Sequence, residues 1–249
     1  MPTVDMPDAD SYAATRERVL AMLEGISDSE AARPVPACPG WTVHDVLAHL
    51  TGIAADAVAG RMQGVGSAAW TAAQLDARRS DSMAGMAAEW RALAADFDAL
   101  IRPQPALAMA AGADAVVHHH DAAQALGVHA DTSSTAVREA ARRYAELFIL
   151  RVHAAGLGPV AIASDEGDCF APRQPGCTAS LRAPAYDLLL TFAGRRTLDE
   201  VRALGWEGDP EAVEGLLSPY GVLPTQPLAL RSRPTAWSGQ WLPTAHLSF

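Results

Sequence analysis

The sequence predicts an all-α N-terminal domain of the four-helix-bundle type, followed by a small α+β domain. Three observations carry this. Apolar residues recur at helical spacing through long stretches up to about residue 157. Gly and Pro stand where those stretches end. After Gly158 the texture changes to short alternating segments separated by Gly and Pro, then to brief helical patterns. The domains are therefore drawn as 1–157 and 158–249, with an extended Pro-rich tail over 218–249.

In chain order, Asp8 to Glu24 reads as an amphipathic helix with Tyr12, Val19, Leu20 and Leu23 near one face, closed by Gly25. A Pro-rich segment, Arg33 to Gly40, leads to Thr42, a good N-cap with Asp45 three residues on. The second helix starts at Val43 and runs to about Met62, its stripe formed by Val43, Val46, Leu47, Leu50, Ile53 and Ala54. Gly64 to Ser67 breaks the pattern. A third helix spans about Ser82 to Ile101 with Met86, Trp90, Leu93, Phe97 and Leu100 inward, stopped by Pro103 and Pro105. The fourth covers about Leu107 to Leu126, closed by Gly127. A fifth, capped within Asp131 to Ser134, runs through Val137, Ala141, Tyr144, Leu147, Phe148 and Val152 to Gly156. Val160 to Ser164 and Cys177 to Leu181 are strand-like, and Ala185 to Ala193, Leu198 to Leu204 and Pro210 to Leu217 are helical. The tail from Ser218 holds five prolines, yet Leu228, Leu230, Trp237, Trp241 and Leu242 make it apolar for a disordered segment.

Composition narrows the function classes. A hydrophobic content of 49% with 19% charged residues is that of a soluble globular protein. The net charge of −10 argues against nucleic acid and anionic membranes as partners, because no basic stripe exists to release counterions. No basic-then-apolar leader and no long uncharged apolar run is present, which predicts a cytoplasmic protein. All nineteen basic residues are Arg, and Asn is absent, as in proteins of GC-rich genomes. Cys38, Cys169 and Cys177 are odd in number and widely spaced, which predicts reduced thiols and no CxxC metal site.

The candidate chemistry lies on two helices. At 100° per residue His49 falls on the flank of the second helix's stripe, where an imidazole either packs with a hydrogen bond or points into a cleft. On the fourth helix the run DAVVHHHD places Asp114 and His118 one turn apart, with Asp121 three residues further along the same stripe. A carboxylate and an imidazole so placed can bind a divalent metal. His49 would complete a set of two histidines and one carboxylate with positions open for water or substrate. The same spacing fits an Asp–His ion pair that stabilises the helix, or a polar turn on an exposed face. His119 and His120 point about 100° and 200° away from His118, so one histidine of the three at most belongs to a shared site.

Taken together, PACPGWTVHDVLAHL and the later DAVVHHHDAAQALG resemble the mycothiol-dependent maleylpyruvate isomerase family within the DinB-like bundle superfamily. YDLLLTFAGRRTLDEV is similar to that family's C-terminal domain, which is related in shape to sterol-carrier-protein-like α+β modules. The resemblance extends from the first helix to about Gly208. It implies a divalent metal, zinc, held by His49, Asp114 and His118, which would then be the catalytic residues through the metal. Asp114 stands where the family usually has Glu. Asp is one methylene shorter, so its helix must sit closer or the carboxylate must act through water. The resemblance further implies mycothiol as a thiol cosubstrate. Its thiolate would add to an activated double bond, allow rotation and leave, or would be transferred to a different electrophile.

Anionic substrate groups call for guanidinium forks, for which Arg195 and Arg196 of the GRR segment and Arg78 and Arg79 are candidates, Arg195 first among them. Two other functions fit the same residues. One is a non-catalytic ligand-binding or regulatory protein on this fold; the other is a secondary-metabolism enzyme that uses the pocket without thiol. Stoichiometric metal separates the first from the isomerase reading, and thiol dependence of turnover separates the second. The apolar tail also suggests a homodimer held through Trp237 and Trp241.

Overall fold

The computed structural model describes residues 9–219 and 223–228. Among them the chain forms a helical N-terminal unit, which runs through Val128, and a C-terminal unit with a small sheet, which begins at His129.

The first unit holds α1 (Ala9–Leu23), α2 (Asp28–Ala31), α3 (Val43–Val58), α4 (Ala68–Arg78), α5 (Met83–Ile101) and α6 (Pro105–Leu126). The long helices α1, α3, α5 and α6 make the bundle, with α3 packed on α5 and α1 on both α5 and α6. Leu20, Leu47, Leu50, Met86, Trp90, Phe97 and Ile101 fill its centre. Burial of each such side chain contributes about 1.5–3 kcal/mol. The Tyr12 and Phe97 rings lie 4.9 Å apart, and Trp90 Nε1 donates to the Tyr12 hydroxyl at 3.1 Å. That hydroxyl is fully buried, and burial pushes its pKa far above the ordinary tyrosine value. Arg16 reaches Asp98 through two hydrogen bonds of 2.7 and 3.1 Å, which tie α1 to α5.

Helix starts follow their caps. Thr42 and Asp45 form a reciprocal capping box, with Asp45 Oδ2 accepting from Thr42 N at 2.8 Å and Thr42 Oγ1 accepting from Asp45 N at 3.3 Å. Ser82 caps α5 through Gly85 N. Pro105 opens α6 at a position where a missing N–H costs nothing. Gly127 closes it in the left-handed conformation, φ 73°.

The second unit holds α7 (Thr135–Ala154), β1 (Val160–Ser164), β2 (Cys169–Ala171), β3 (Ala179–Ala183), α8 (Ala185–Phe192), α9 (Leu198–Arg202), β4 (Gly205–Gly208) and α10 (Glu211–Glu214). The sheet order is β2-β1-β3-β4. β1 and β3 are parallel with Ile162 opposite Leu181; β2 and β4 add antiparallel edges. α7 packs on α8, where Phe148 stacks on Phe192 at 4.8 Å between ring centres.

The expected boundary after residue 157 moves to Val128. The fifth expected helix, α7, packs in the C-terminal unit because its apolar face meets α8 and the sheet. Periodicity shows that a helix has a face to bury; it does not name the partner. α2, α4, β2 and β4 were not expected, and the second expected strand is β3, which begins at Ala179, two residues later than Cys177. Of the expected tail, Leu228 is buried, whereas Leu230, Trp237, Trp241 and Leu242 lie outside the described residues. Among the described residues no helix is long and apolar enough to cross a membrane. Cys38, Cys169 and Cys177 are all free thiols.

In the second unit Asp168 joins α7 to the β1–β2 connection. Arg138 donates to both its oxygens at 2.8 and 2.7 Å, and Ser164 Oγ donates at 3.0 Å. The Arg138 hydrogen bond holds the Asp168 carboxyl below its ordinary value, against an opposing effect of burial. A carboxylate with a depressed native pKa stabilises the fold fully above its unfolded value near ~4, and that contribution is lost as pH falls through the native value. Asp168→Asn is expected to cost about 1 kcal/mol at pH 7, since Arg138 is partly exposed, and to flatten the acid limb of a stability-against-pH curve measured by urea unfolding.

Candidate metal centre

The segment before α3 sets the site's outer wall. Cys38, Pro39, Gly40 and Trp41 form a β-turn closed by Trp41 N donating to Cys38 O at 2.8 Å. Pro39 supplies the fixed φ of the second position, and Gly40, at φ 87°, supplies the positive φ of the third, as a type II turn requires. Val35 N donates to Trp41 O at 2.9 Å, and Val43 N donates to Arg33 O at 3.0 Å, so the turn is pinned against the start of α3. The Cys38 side chain is thereby buried, and the half-buried Trp41 ring lies over two imidazoles. Its centre is 5.2 Å from that of His49 and 5.5 Å from that of His118, stacked on the latter at 19°.

His49 on α3 and Asp114 and His118 on α6 come together as the sequence anticipates. One ligand atom from each lies within 4.8 Å of the others. Asp114 turns one oxygen to each histidine, Oδ2 to His49 Nε2 at 3.6 Å and Oδ1 to His118 Nε2 at 3.7 Å. These separations are too long for N–H···O hydrogen bonds. They are close to the edge of about 3.4 Å between two N or O ligands on a tetrahedral zinc ion. The donor set of two imidazoles and a carboxylate also fits a divalent ion of this kind, and three such residues could hold it with a position left open.

Both imidazoles are held from behind. His49 Nδ1 lies 2.8 Å from Gln74 Oε1, and His118 Nδ1 lies 3.1 Å from Asp121 Oδ2. In a neutral imidazole, an oxygen acceptor at Nδ1 places the proton there and leaves the Nε2 lone pair facing Asp114, the arrangement that orients metal-binding histidines. Cys38 donates to the same Asp121 oxygen at 3.6 Å and lies 3.9 Å from His118 Nδ1. Cys38, His118 and Asp121 thus form a second compact group, which shares His118 with the first.

Of the remaining histidines in the run, neither joins this group. His120 is buried, its ring 5.5 Å from that of His119. Burial, with a smaller effect from the Arg18 charge, pushes His119 down to about 4, so it is neutral at physiological pH. Arg195 and Arg196 belong to the C-terminal unit and are buried with partners there, Arg195 Nη1 donating to Ala193 O at 3.2 Å and Arg196 pairing with Asp187. Arg78 is bound to Glu89 and Arg79 to Asp76.

Sequence reasoning missed Gln74, because α4 presents polar residues to the interior. Its buried side chains are Gln74 and Arg78, so no apolar stripe marks the helix. Ser67, whose side chain accepts from Trp70 N, was the available signal. Asp121 stood on the expected stripe without an assigned part, and Cys38 was expected only to be a reduced thiol.

Residues 12–123 match the family described as the mycothiol maleylpyruvate isomerase N-terminal domain. No curated protein matches the chain in sequence. Among solved structures the chain is similar to one described as the mycothiol-dependent maleylpyruvate isomerase. The TM-score is 0.54 and the identity 13%, covering 75% of this chain and 88% of that one. It is similar to a histidine-to-alanine mutant of that isomerase with the same TM-score and coverage at 12% identity. At these identities the structural likeness is one of fold. The family match over residues 12–123 takes in His49, Asp114, His118 and the Cys38–Trp41 turn, so the site lies wholly within the part of the chain that is similar to the mycothiol maleylpyruvate isomerase N-terminal domain.

Proposed function

We propose that the protein is a metal-dependent isomerase or thiol S-transferase of the maleylpyruvate isomerase type, with mycothiol as cosubstrate and a small electrophilic, anionic molecule as substrate. The observation that carries this reading is the arrangement of His49, Asp114 and His118, with both Nε2 atoms turned to one carboxylate at separations that suit a shared ion. The similarity of residues 12–123 to the mycothiol maleylpyruvate isomerase N-terminal domain supports the choice of thiol.

Zinc is the metal that best suits two imidazoles and one carboxylate with an open position. Held by His49, Asp114 and His118, such an ion would supply Lewis acidity and would lower the pKa of a thiol or water offered to that position. The chain's residues do the rest. Gln74 and Asp121 keep the two Nδ1 protons in place, so each imidazole offers a neutral Nε2. Trp41 lies against both rings and shields them from bulk water. Asp114 is the one charged group among the three residues that would hold the ion, so a divalent ion there would leave that set net positive and would favour an anionic thiolate, with Asp121 behind His118 offsetting part of the charge. Addition of a thiolate to the activated double bond of a cis substrate makes a C–S bond and a single C–C bond free to rotate. Its departure restores the double bond in trans geometry with the thiol unchanged. The three free cysteines fit the reducing cytoplasm in which small thiols stay reduced, where we place the protein.

Elemental analysis of the purified, tag-free chain is expected to show about one equivalent of a divalent metal, lost in His49→Ala and in His118→Ala. Absence of metal, with none taken up on adding Zn²⁺, would remove the reading. Conversion of maleylpyruvate, the substrate in the names of the structural neighbours, is expected to require mycothiol and to fall more than about 100-fold in His118→Ala, measured as loss of the cis isomer by absorbance.

A further inference from the structure

The support behind His49 is a built device that spans two helices. His49, Gly52 and Asp56 are spaced three and four residues apart on α3, so they share one face. Gln74 of α4 is laid along that face and is only 2% exposed. Its Oε1 stands 2.8 Å from His49 Nδ1, and its Nε2 donates to Asp56 Oδ2 at 2.9 Å. The other Asp56 oxygen accepts from Arg61 Nε at 2.9 Å.

The chemistry of the groups fixes the direction of every hydrogen in this chain. An ionised carboxylate only accepts, so Asp56 must face the amide nitrogen of Gln74. The amide oxygen is then the atom left for His49, and an oxygen at Nδ1 requires the proton to be on Nδ1. In the neutral imidazole Nε2 is then the lone pair, and it is the atom that faces Asp114. Gly52 makes the contact sterically feasible. A Cβ at position 52 would stand 2.7 Å from both Cβ and Cγ of Gln74 and 3.1 Å from its Cδ, closer than real side chains approach. Because Gln74 is held at its Cβ by α4, the whole residue would have to move.

We propose that Asp56, Gln74 and Gly52 are positioning residues that select the tautomer of His49 and so present Nε2 to a metal. Asp56 sets the amide's orientation, Gln74 passes that orientation to the imidazole, and Gly52 provides the space in which Gln74 lies. The use of this device rests on the reading of His49 as a ligand, but the tautomer itself can be observed with no metal present. The two imidazoles are then supported differently, His49 by a neutral amide and His118 by the carboxylate of Asp121. The first support adds no charge beside the ion, which leaves the net charge of the centre to Asp114 and Asp121.

The test is a long-range ¹H–¹⁵N correlation spectrum of the metal-free full chain labelled at histidine, with His49 assigned from the His49→Gln spectrum. It is paired with Zn²⁺ affinity measured by competition against a chelator. The parent is expected to show His49 with its proton on Nδ1. Gln74→Leu and Gly52→Ala should each shift His49 to a mixture of tautomers and weaken Zn²⁺ binding by about 10–100-fold. Asp56→Leu, which frees the amide to turn over, should also mix the tautomers. Gln74→Glu keeps an oxygen at Nδ1 and should keep the parent tautomer. A parent with its proton on Nε2 overturns the proposal. So does a folded Gln74→Leu chain, judged by circular dichroism, with parent tautomer and parent Zn²⁺ affinity. If no chain binds Zn²⁺ but the tautomer responds as described, the ligand reading fails and the relay stands.

Discussion

The placement of an oxygen behind each of two buried imidazoles is the constraint on which the rest of the N-terminal unit depends. Gln74 Oε1 behind His49 and Asp121 Oδ2 behind His118 turn both Nε2 atoms toward Asp114. Meeting that constraint needs α3 and α6 side by side, α4 laid against α3, and the Cys38–Trp41 turn folded over the rings. Each of these has its own local cause: the Thr42–Asp45 capping box, the missing side chain at Gly52, and the Pro39–Gly40 pair.

Such a cluster is costly in a bundle interior. His49, His118, Asp121 and Gln74 are all buried, and polar groups taken out of water without partners cost several kcal/mol each. The cost is met by mutual satisfaction, since one chain runs from Arg61 through Asp56 and Gln74 to His49, and another links Cys38, Asp121 and His118. The bundle's apolar centre around Trp90, Phe97 and Leu47 supplies the favourable burial that makes this affordable. The result is a preorganised group in which the two Nε2 atoms stand 3.6 and 3.7 Å from the Asp114 oxygens.

Much of this was legible in the sequence. The long helices carry strong stripes and standard punctuation, so α1, α3, α5, α6 and α7 were expected at nearly their observed positions, and β1 at its observed limits. The triad was legible because Asp114 and His118 sit one turn apart and because the surrounding motifs resemble a known family. What was not legible has physical causes. α4 buries Gln74 and Arg78, so hydrophobic periodicity is blind to it. The partner of α7 is a tertiary fact that a single stripe does not contain. Arg195 and Arg196 were candidates by residue type, whereas their burial and their contacts with Ala193 and Asp187 are decided by the fold of the second unit. The connection from Asp56 to His49 crosses between helices and is visible only in three dimensions.

The central claim is that His118 offers Nε2, together with His49 and Asp114, and that Cys38 remains a hydrogen-bond donor to Asp121. X-ray absorption spectroscopy of the chain loaded with one equivalent of Zn²⁺, free of added thiol, tests it directly. The account predicts a shell of nitrogen and oxygen at about 2.0–2.1 Å with imidazole scattering and no sulfur. A sulfur neighbour at about 2.3 Å would contradict it and assign the ion to Cys38, His118 and Asp121.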